Sequence, residues 1–174
     1  MRWAIIIVVA VIAIIIAIFA AGAVLPRKHV ASVMARIGQP QQVVWLVINN
    51  HAEDPKWRSD LAGIQQLPDR NGHPVWLETN KHGSRLELED TVVDGPKRLV
   101  REVRHTGNMF SGRWEIDIAP AGETACTVSI TEFGEVPNPF FRFMSRFVLG
   151  HTKSMEQYLA ALASKFGEKA ELKK

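Results

Sequence analysis

The chain has 174 residues, with 21 Lys or Arg, 18 Asp or Glu and a net charge of only +3. Without a run of like charge, that balance excludes the electrostatic footprint of a nucleic-acid binder. The single cysteine, Cys126, excludes an intramolecular disulfide framework and any multi-cysteine metal site. Once the apolar N-terminus is set aside, roughly 150 residues remain, the usual size of one domain with one hydrophobic core.

From Ala4 to Leu25 no side chain is charged or hydrogen-bonding. As a helix this run covers about 33 Å, slightly more than the hydrocarbon core of a bilayer. Its Ile, Val, Phe and Leu residues sum to roughly 5 kcal/mol in favour of insertion. Trp3 suits one interface, and Pro26-Arg27-Lys28 stops the helix and supplies polar anchors at the other. Residues 1–26 are therefore expected to form a single-pass transmembrane anchor. Ala21-Gly22-Ala23 has the small-x-small form of a signal-peptidase site. The apolar run is nevertheless longer than the usual signal-peptide core and its charged leader is minimal, so a retained anchor fits better. Arg27, Lys28 and Arg36 slightly outweigh Arg2 and the terminal amine, which leans the remainder toward the cytoplasmic side.

Residues 27–168 read as one domain. Arg27 to Ile37 has the β-branched character of a first strand, ended by Gly38 and Pro40. Gln41 to Asn49 places Val44, Trp45, Val47 and Ile48 at helical spacing, and Asp54-Pro55 reads as an N-cap and first helical proline for a short turn carrying Trp57. Between Leu61 and Val136 the period changes to two. Turns such as Asp69-Arg70-Asn71-Gly72 and Asp94-Gly95-Pro96 interrupt it regularly, which predicts an antiparallel meander. Trp114, Ile116 and Ile118 alternate there with Arg113, Glu115 and Asp117, and Cys126 alternates with Val128 and Ile130 as a core thiol would.

A sheet with one apolar face must be covered. The element available is Pro139 to Gly167, where Phe140, Met144, Phe147, His151, Met155, Tyr158, Leu162 and Phe166 recur every three or four residues. One long amphipathic helix, bent at Gly150, is expected, followed by a lysine-bearing tail over 169–174.

That order of elements is similar to the α+β helix-grip fold of the START / polyketide cyclase-like superfamily, often called SRPBCC. Gln39-Pro40-Gln41-Gln42-Val43-Val44-Trp45 resembles its proline-containing entry to a helix, and His51 to Trp57 the turn that follows. Thr131-Glu132-Phe133-Gly134-Glu135-Val136-Pro137-Asn138-Pro139-Phe140-Phe141-Arg142-Phe143-Met144-Ser145-Arg146-Phe147, then Gly150-His151, closely resembles a membrane-anchored bacterial branch of it. The resemblance implies an inner-membrane protein with a curved antiparallel sheet wrapped on the C-terminal helix. Between them it implies a cavity that holds lipids, polyketides or other apolar molecules. It does not imply one reaction.

On that footing the expected ligand-facing residues are Trp76, Leu88, Val103, Trp114, Ile116, Phe143, Phe147, His151 and Met155. Each aromatic among them, like Trp45, has the simpler role of filling core. His151, on the apolar stripe, is placed to orient a ligand or to exchange a proton near neutral pH, or simply to bond to backbone. Glu132 and Glu135 are expected to pair with Arg142 and Arg146 and fix the helix start. They are not expected to form a catalytic pair, because residues three apart on a strand point to opposite faces. Asn138-Pro139 suits an N-cap and first helical position. No two of the six histidines are two to four residues apart, and neither a glycine-rich phosphate loop nor a nucleophile elbow is present, so no metal, cofactor or catalytic set is expected. Three roles follow: a tethered binding or carrier module for an apolar small molecule or lipid, an enzyme of cyclase, dehydratase or hydratase type using His151 with a carboxylate or His105, or a protein-binding scaffold. A cavity of at least about 300 Å³ separates the first two from the third.

Overall fold

In the computed structural model, which describes residues 2–105, 107 and 109–174, the apolar run becomes helix α1 (Arg2–Val24). It is long and apolar enough to cross a membrane, and it leaves its side chains exposed as far as Ala17. Strand β1 (Lys28–Ile37) follows at once. Its period-two pattern turns Val33, Ala35 and Ile37 inward and leaves Met34 and Arg36 outside.

Pro40 starts α2 (Gln41–Ile48), whose three- and four-residue spacing buries Val44, Trp45 and Ile48. A 3-10 turn (His51–Glu53) leads into the short α3 (Asp54–Trp57). Asp54 is not the cap expected of it: Glu53 holds that position, and the Asp54 side chain is fully buried.

The meander runs through β2 (Leu61–Arg70), β3 (His73–Asn80), β4 (Arg85–Asp94), β5 (Arg98–His105), β6 (Ser111–Pro120) and β7 (Cys126–Glu135). All pairings are antiparallel, and β1 returns to pair with β7. The residues expected as a tail form β8 (Glu171–Lys173) on the free edge of β1, giving the order β2-β3-β4-β5-β6-β7-β1-β8. This is the α+β helix-grip arrangement, an antiparallel sheet curved around a C-terminal helix.

The expected single long helix is instead broken in two. Asn138 caps α4 (Pro139–Met144) by accepting from the Phe140 amide at 2.9 Å. A π-helical segment (Ser145–Leu149) follows, then Gly150 with φ of 77°, then α5 (Lys153–Lys165). A left-handed backbone at Gly150 cannot continue a helix, and the wide π turn holds one residue more than an α turn, which changes the phase of every later side chain. The stripe that reads continuously in sequence therefore splits. Met155, Tyr158, Leu159 and Leu162 of α5 pack into the core with Val33, Ile116, Val128 and Ile130, together with Val44 and Ile48 of α2. Each such aliphatic side chain contributes about 1.5–3 kcal/mol by leaving water.

The break also reassigns the two arginines. Arg142, buried on α4, donates to the backbone carbonyls of Leu25 (2.7 Å), Pro137 (3.4 Å) and Ala23 (3.5 Å). It thus caps the C-terminus of α1, where orphan carbonyls and the negative dipole end attract a cation. Arg146 is exposed. Among the described residues the expected pairs with Glu132 and Glu135 do not form; Glu132 bonds to Trp114 and His29 instead.

Candidate functional site

Between the α4–α5 break and the strands β4 to β7 lies a cavity of about 450 Å³. Its walls are mostly apolar: Leu86 and Val103 from the sheet, Met109 and Phe110 from the β5–β6 loop, Phe141 and Leu149 from α4 and the π-helical segment. A second hollow of about 140 Å³ shares Leu86, Val103, Trp114, Ser154 and Gln157 with the first, so the two adjoin. The smaller one reaches Leu88 and borders Arg58, Glu78 and Arg101.

One polar cluster faces the larger cavity. Trp114 Nε1 donates to Glu132 Oε2 at 2.6 Å, the other carboxylate oxygen of Glu132 pairs with His29 Nε2 at 2.8 Å, and the His29 ring stacks on His151 with centroids 3.9 Å apart. His151 thus points toward the sheet, as its place on the stripe suggests. Its pKa is lowered by burial and by the neighbouring His29 ring and Arg146, against the Glu132 charge that raises it. A histidine depressed in the folded state stabilises the fold above its ordinary value, and that contribution is lost as pH falls. In NMR titrations the His151 ring is expected to titrate below the ordinary histidine value. Glu132→Gln should move its midpoint lower still and His29→Phe should move it up. A midpoint unmoved by either change would show that the stack is absent in solution.

Glu132 and Glu135 both line this cavity. The Glu132 carboxylate is held there by Trp114 and His29, while Glu135 closes the end of β7. His105 does not join the cluster. It hydrogen-bonds Ser84 Oγ at 3.0 Å and accepts from the Gly107 amide at 2.9 Å.

Of the expected ligand-facing residues, Val103, Trp114 and His151 line the larger cavity, and Leu88 joins Val103 and Trp114 in the smaller. Ile116 and Met155 are closed into the packed core. Trp76 lies edge-on to His51, 5.1 Å away, and lines neither cavity. The Phe143 and Phe147 rings meet at a tilt with centroids 4.9 Å apart, and Phe147 is 63% exposed, because the π-helical segment turns this face away from the sheet.

A buried polar network was not legible as such. Asp90 and Arg101 face each other across β4 and β5, with Arg101 Nε donating to Asp90 Oδ1 at 2.7 Å. His51 Nε2 lies 2.7 Å from Asp90 Oδ2 and 2.8 Å from Arg101 Nη2, which is also 3.2 Å from Nδ1, so the tautomer sets whether Nε2 donates to the carboxylate or accepts from the guanidinium. Arg58 pairs with both carboxylate oxygens of Glu78, and the Asp54 carboxylate lies 3.6 Å from Arg58 Nη1 and from His51 Nδ1. Burial by itself would raise the Asp90 carboxyl, yet the Arg101 charge and the bonds from His51 and Arg101 outweigh it and hold it down to about 2. Burial pushes Tyr158 up, helped by Asp54, so its phenol stays protonated. The Cys126 thiol is pushed up to about 11 by burial, which leaves it unreactive.

Solved structures similar to this fold include a START superfamily protein from Mycobacterium smegmatis (TM-score 0.63, 14% identity, 79% of this chain and 96% of that one). A conserved protein from Geobacillus kaustophilus gives a TM-score of 0.69 at 12% identity, over 84% of this chain and all of that one. The Zhui aromatase/cyclase from Streptomyces sp. R1128 gives 0.68 at 10% identity, over 79% and 93%. No curated protein matches the sequence. The family model described as "Polyketide cyclase / dehydrase and lipid transport" matches residues 37–155, more than half of the chain. With that match, the chain belongs to the polyketide cyclase / dehydrase and lipid transport family, and its fold is START-like.

Proposed function

We propose that the protein is a membrane-tethered binding or carrier module for an apolar small molecule or lipid. The observation that carries this reading is the cavity of about 450 Å³, walled mainly by apolar side chains, one wall of which, α4, packs on an apolar helix of membrane-spanning length. That volume exceeds the roughly 300 Å³ at which small-molecule sites begin, which favours a ligand over a packed scaffold. Tethering supplies the ligand at high effective concentration from the bilayer. Retention of the anchor is supported by the packing of Gly22, inside the small-x-small segment, against Pro139. The ligand's polar group is read as resting against the His29–His151–Glu132 cluster, with its apolar body along Leu86, Val103 and Phe110.

Native mass spectrometry of the detergent-purified protein is expected to show a co-purifying apolar molecule. Val103→Trp, which fills the junction of the two hollows, should reduce its occupancy at least tenfold. A cavity that comes up empty and takes up no apolar fluorescent probe would sink the proposal.

A second reading is favoured by one observation, the His29–Glu132 pair at the cavity wall. A carboxylate that orients an imidazole is the arrangement of a general base, which a cyclase or dehydratase acting on an apolar substrate needs. Turnover lost in Glu132→Gln, with ligand affinity kept, would establish it.

A further inference from the structure

The outer wall of the larger cavity is α4 with its π-helical extension, and beyond the turn that meets α1 the far side of that wall is exposed. Phe147, Val148 and Leu149 are 63%, 60% and 53% exposed, and the Phe143 ring lies tilted against Phe147. Consecutive large apolar side chains in water forfeit about 25 cal/mol for each Å² left uncovered, and contiguous patches of this kind mark protein or membrane contacts.

This patch continues from α1. The first turn of α4 lies against the last two turns of α1: the Phe19 and Phe140 rings are 6.0 Å apart, and Gly22 sits so close to Pro139 that a Cβ there would come within 1.9 Å of the Pro139 carbonyl oxygen. Arg142 holds the junction from the other side through the Ala23 and Leu25 carbonyls. Phe147 is eight residues beyond Pro139, about 12 Å of helix, within reach of whatever plane contains the end of α1. From Val136 to Met155 the sequence holds Arg142, Arg146 and Lys153 but no Asp or Glu. Aromatic and aliphatic residues interleaved with basic ones are the composition of a helix lying in a membrane interface.

The same segment borders the cavity, since Phe141, Ser145 and Leu149 line it. We infer that Phe143–Leu149 is a second membrane-inserted element, covered by the same bilayer that holds α1, and that the cavity therefore opens into lipid instead of water. This rests on the reading of α1 as a membrane span. It adds a route: an apolar ligand passes laterally between Leu149 and the bilayer without crossing water.

The test uses the full chain in phosphatidylcholine–phosphatidylglycerol vesicles. Cys126 is buried, so Val148→Cys offers one reactive thiol for a polarity-sensitive fluorophore. Its emission should shift to the blue and be quenched by lipids carrying a doxyl group on the acyl chain. The same label at Asp69→Cys, on β2 at the opposite edge of the sheet, should show neither effect. Replacing Phe147 and Val148 together by serine, neither of which lines the cavity, should slow uptake of an apolar fluorescent probe from these vesicles at least tenfold, while its affinity in detergent stays unchanged. A label at 148 that remains in water while the protein resists carbonate extraction would overturn the inference and leave the tether standing. Quenching that depends on a second labelled copy instead of on doxyl lipid would also overturn it. Extraction of the whole protein by carbonate would remove the tether, and the inference with it.

Discussion

Arg101→Leu is expected to lower the stability of the globular part by roughly 3–5 kcal/mol, the usual cost of leaving one member of a buried ion pair behind. Arg101 is only 2% exposed, and its guanidinium is the sole cation hydrogen-bonded to Asp90 among the described residues. Leucine would leave the Asp90 carboxylate with the His51 bond alone. Removing both partners, as Asp90→Leu with Arg101→Leu, should recover much of the loss, because apolar groups of similar volume need no counter-charge. The acid limb has a definite sign. The folded Asp90 carboxyl lies near 2 against an ordinary value of 3.8, so its contribution, on the order of 2 kcal/mol, is fully present above the ordinary value and lost as pH falls toward 2. Thermal unfolding followed by near-ultraviolet circular dichroism in detergent should show that limb, and Arg101→Leu should weaken it. Equal stability of the wild type and Arg101→Leu at neutral pH would mean that the network is hydrated and contributes little.

Much of the frame is readable in the residues themselves. Period-two runs bounded by turn residues mark the six strands of the meander, and helical spacing from Val44 to Ile48 marks α2. Asn138-Pro139 marks the start of α4. What could not be read was phase. Phe147, His151 and Met155 have helical spacing, but the π turn and Gly150 interrupt the one helix that would have put them on a common face. The Glu132 and Glu135 pairings failed for a related reason, since Arg142 was drawn to the carbonyls that end α1, and Glu132 instead met His29 from a strand far away in sequence. The buried network left a signal, visible only once register is known: Glu78, Asp90 and Arg101 occupy inward positions on three neighbouring strands, and Asp90 and Arg101 are directly opposite. Charged residues at inward positions of adjacent strands, with opposite signs, are the pattern by which such a network is found.

Gly22→Leu is expected to separate α1 from α4. The clash is with backbone, a Cβ 1.9 Å from the Pro139 carbonyl oxygen, so no side-chain rotation relieves it and one helix must move. Overpacking of this kind costs about 1–3 kcal/mol, and displacement also removes the acceptors of Arg142, whose charged hydrogen bonds contribute about 1.5–3 kcal/mol each. The damage should stay local, because α5 and the sheet make a core to which α1 contributes nothing. Phe19 and Phe140, whose rings lie 6.0 Å apart in the native protein, can both be replaced by cysteine. That pair should be bridged by a short bifunctional thiol reagent when glycine is kept at position 22, and should be bridged far less when Gly22→Leu is added. Near-ultraviolet dichroism of the domain should be little changed. If the cavity opens into lipid because α4 is held against the span, uptake of an apolar probe from vesicles should fall in Gly22→Leu while binding in detergent persists. Unimpaired cross-linking would show that the two helices are not packed together, and the geometry linking anchor to cavity would be lost.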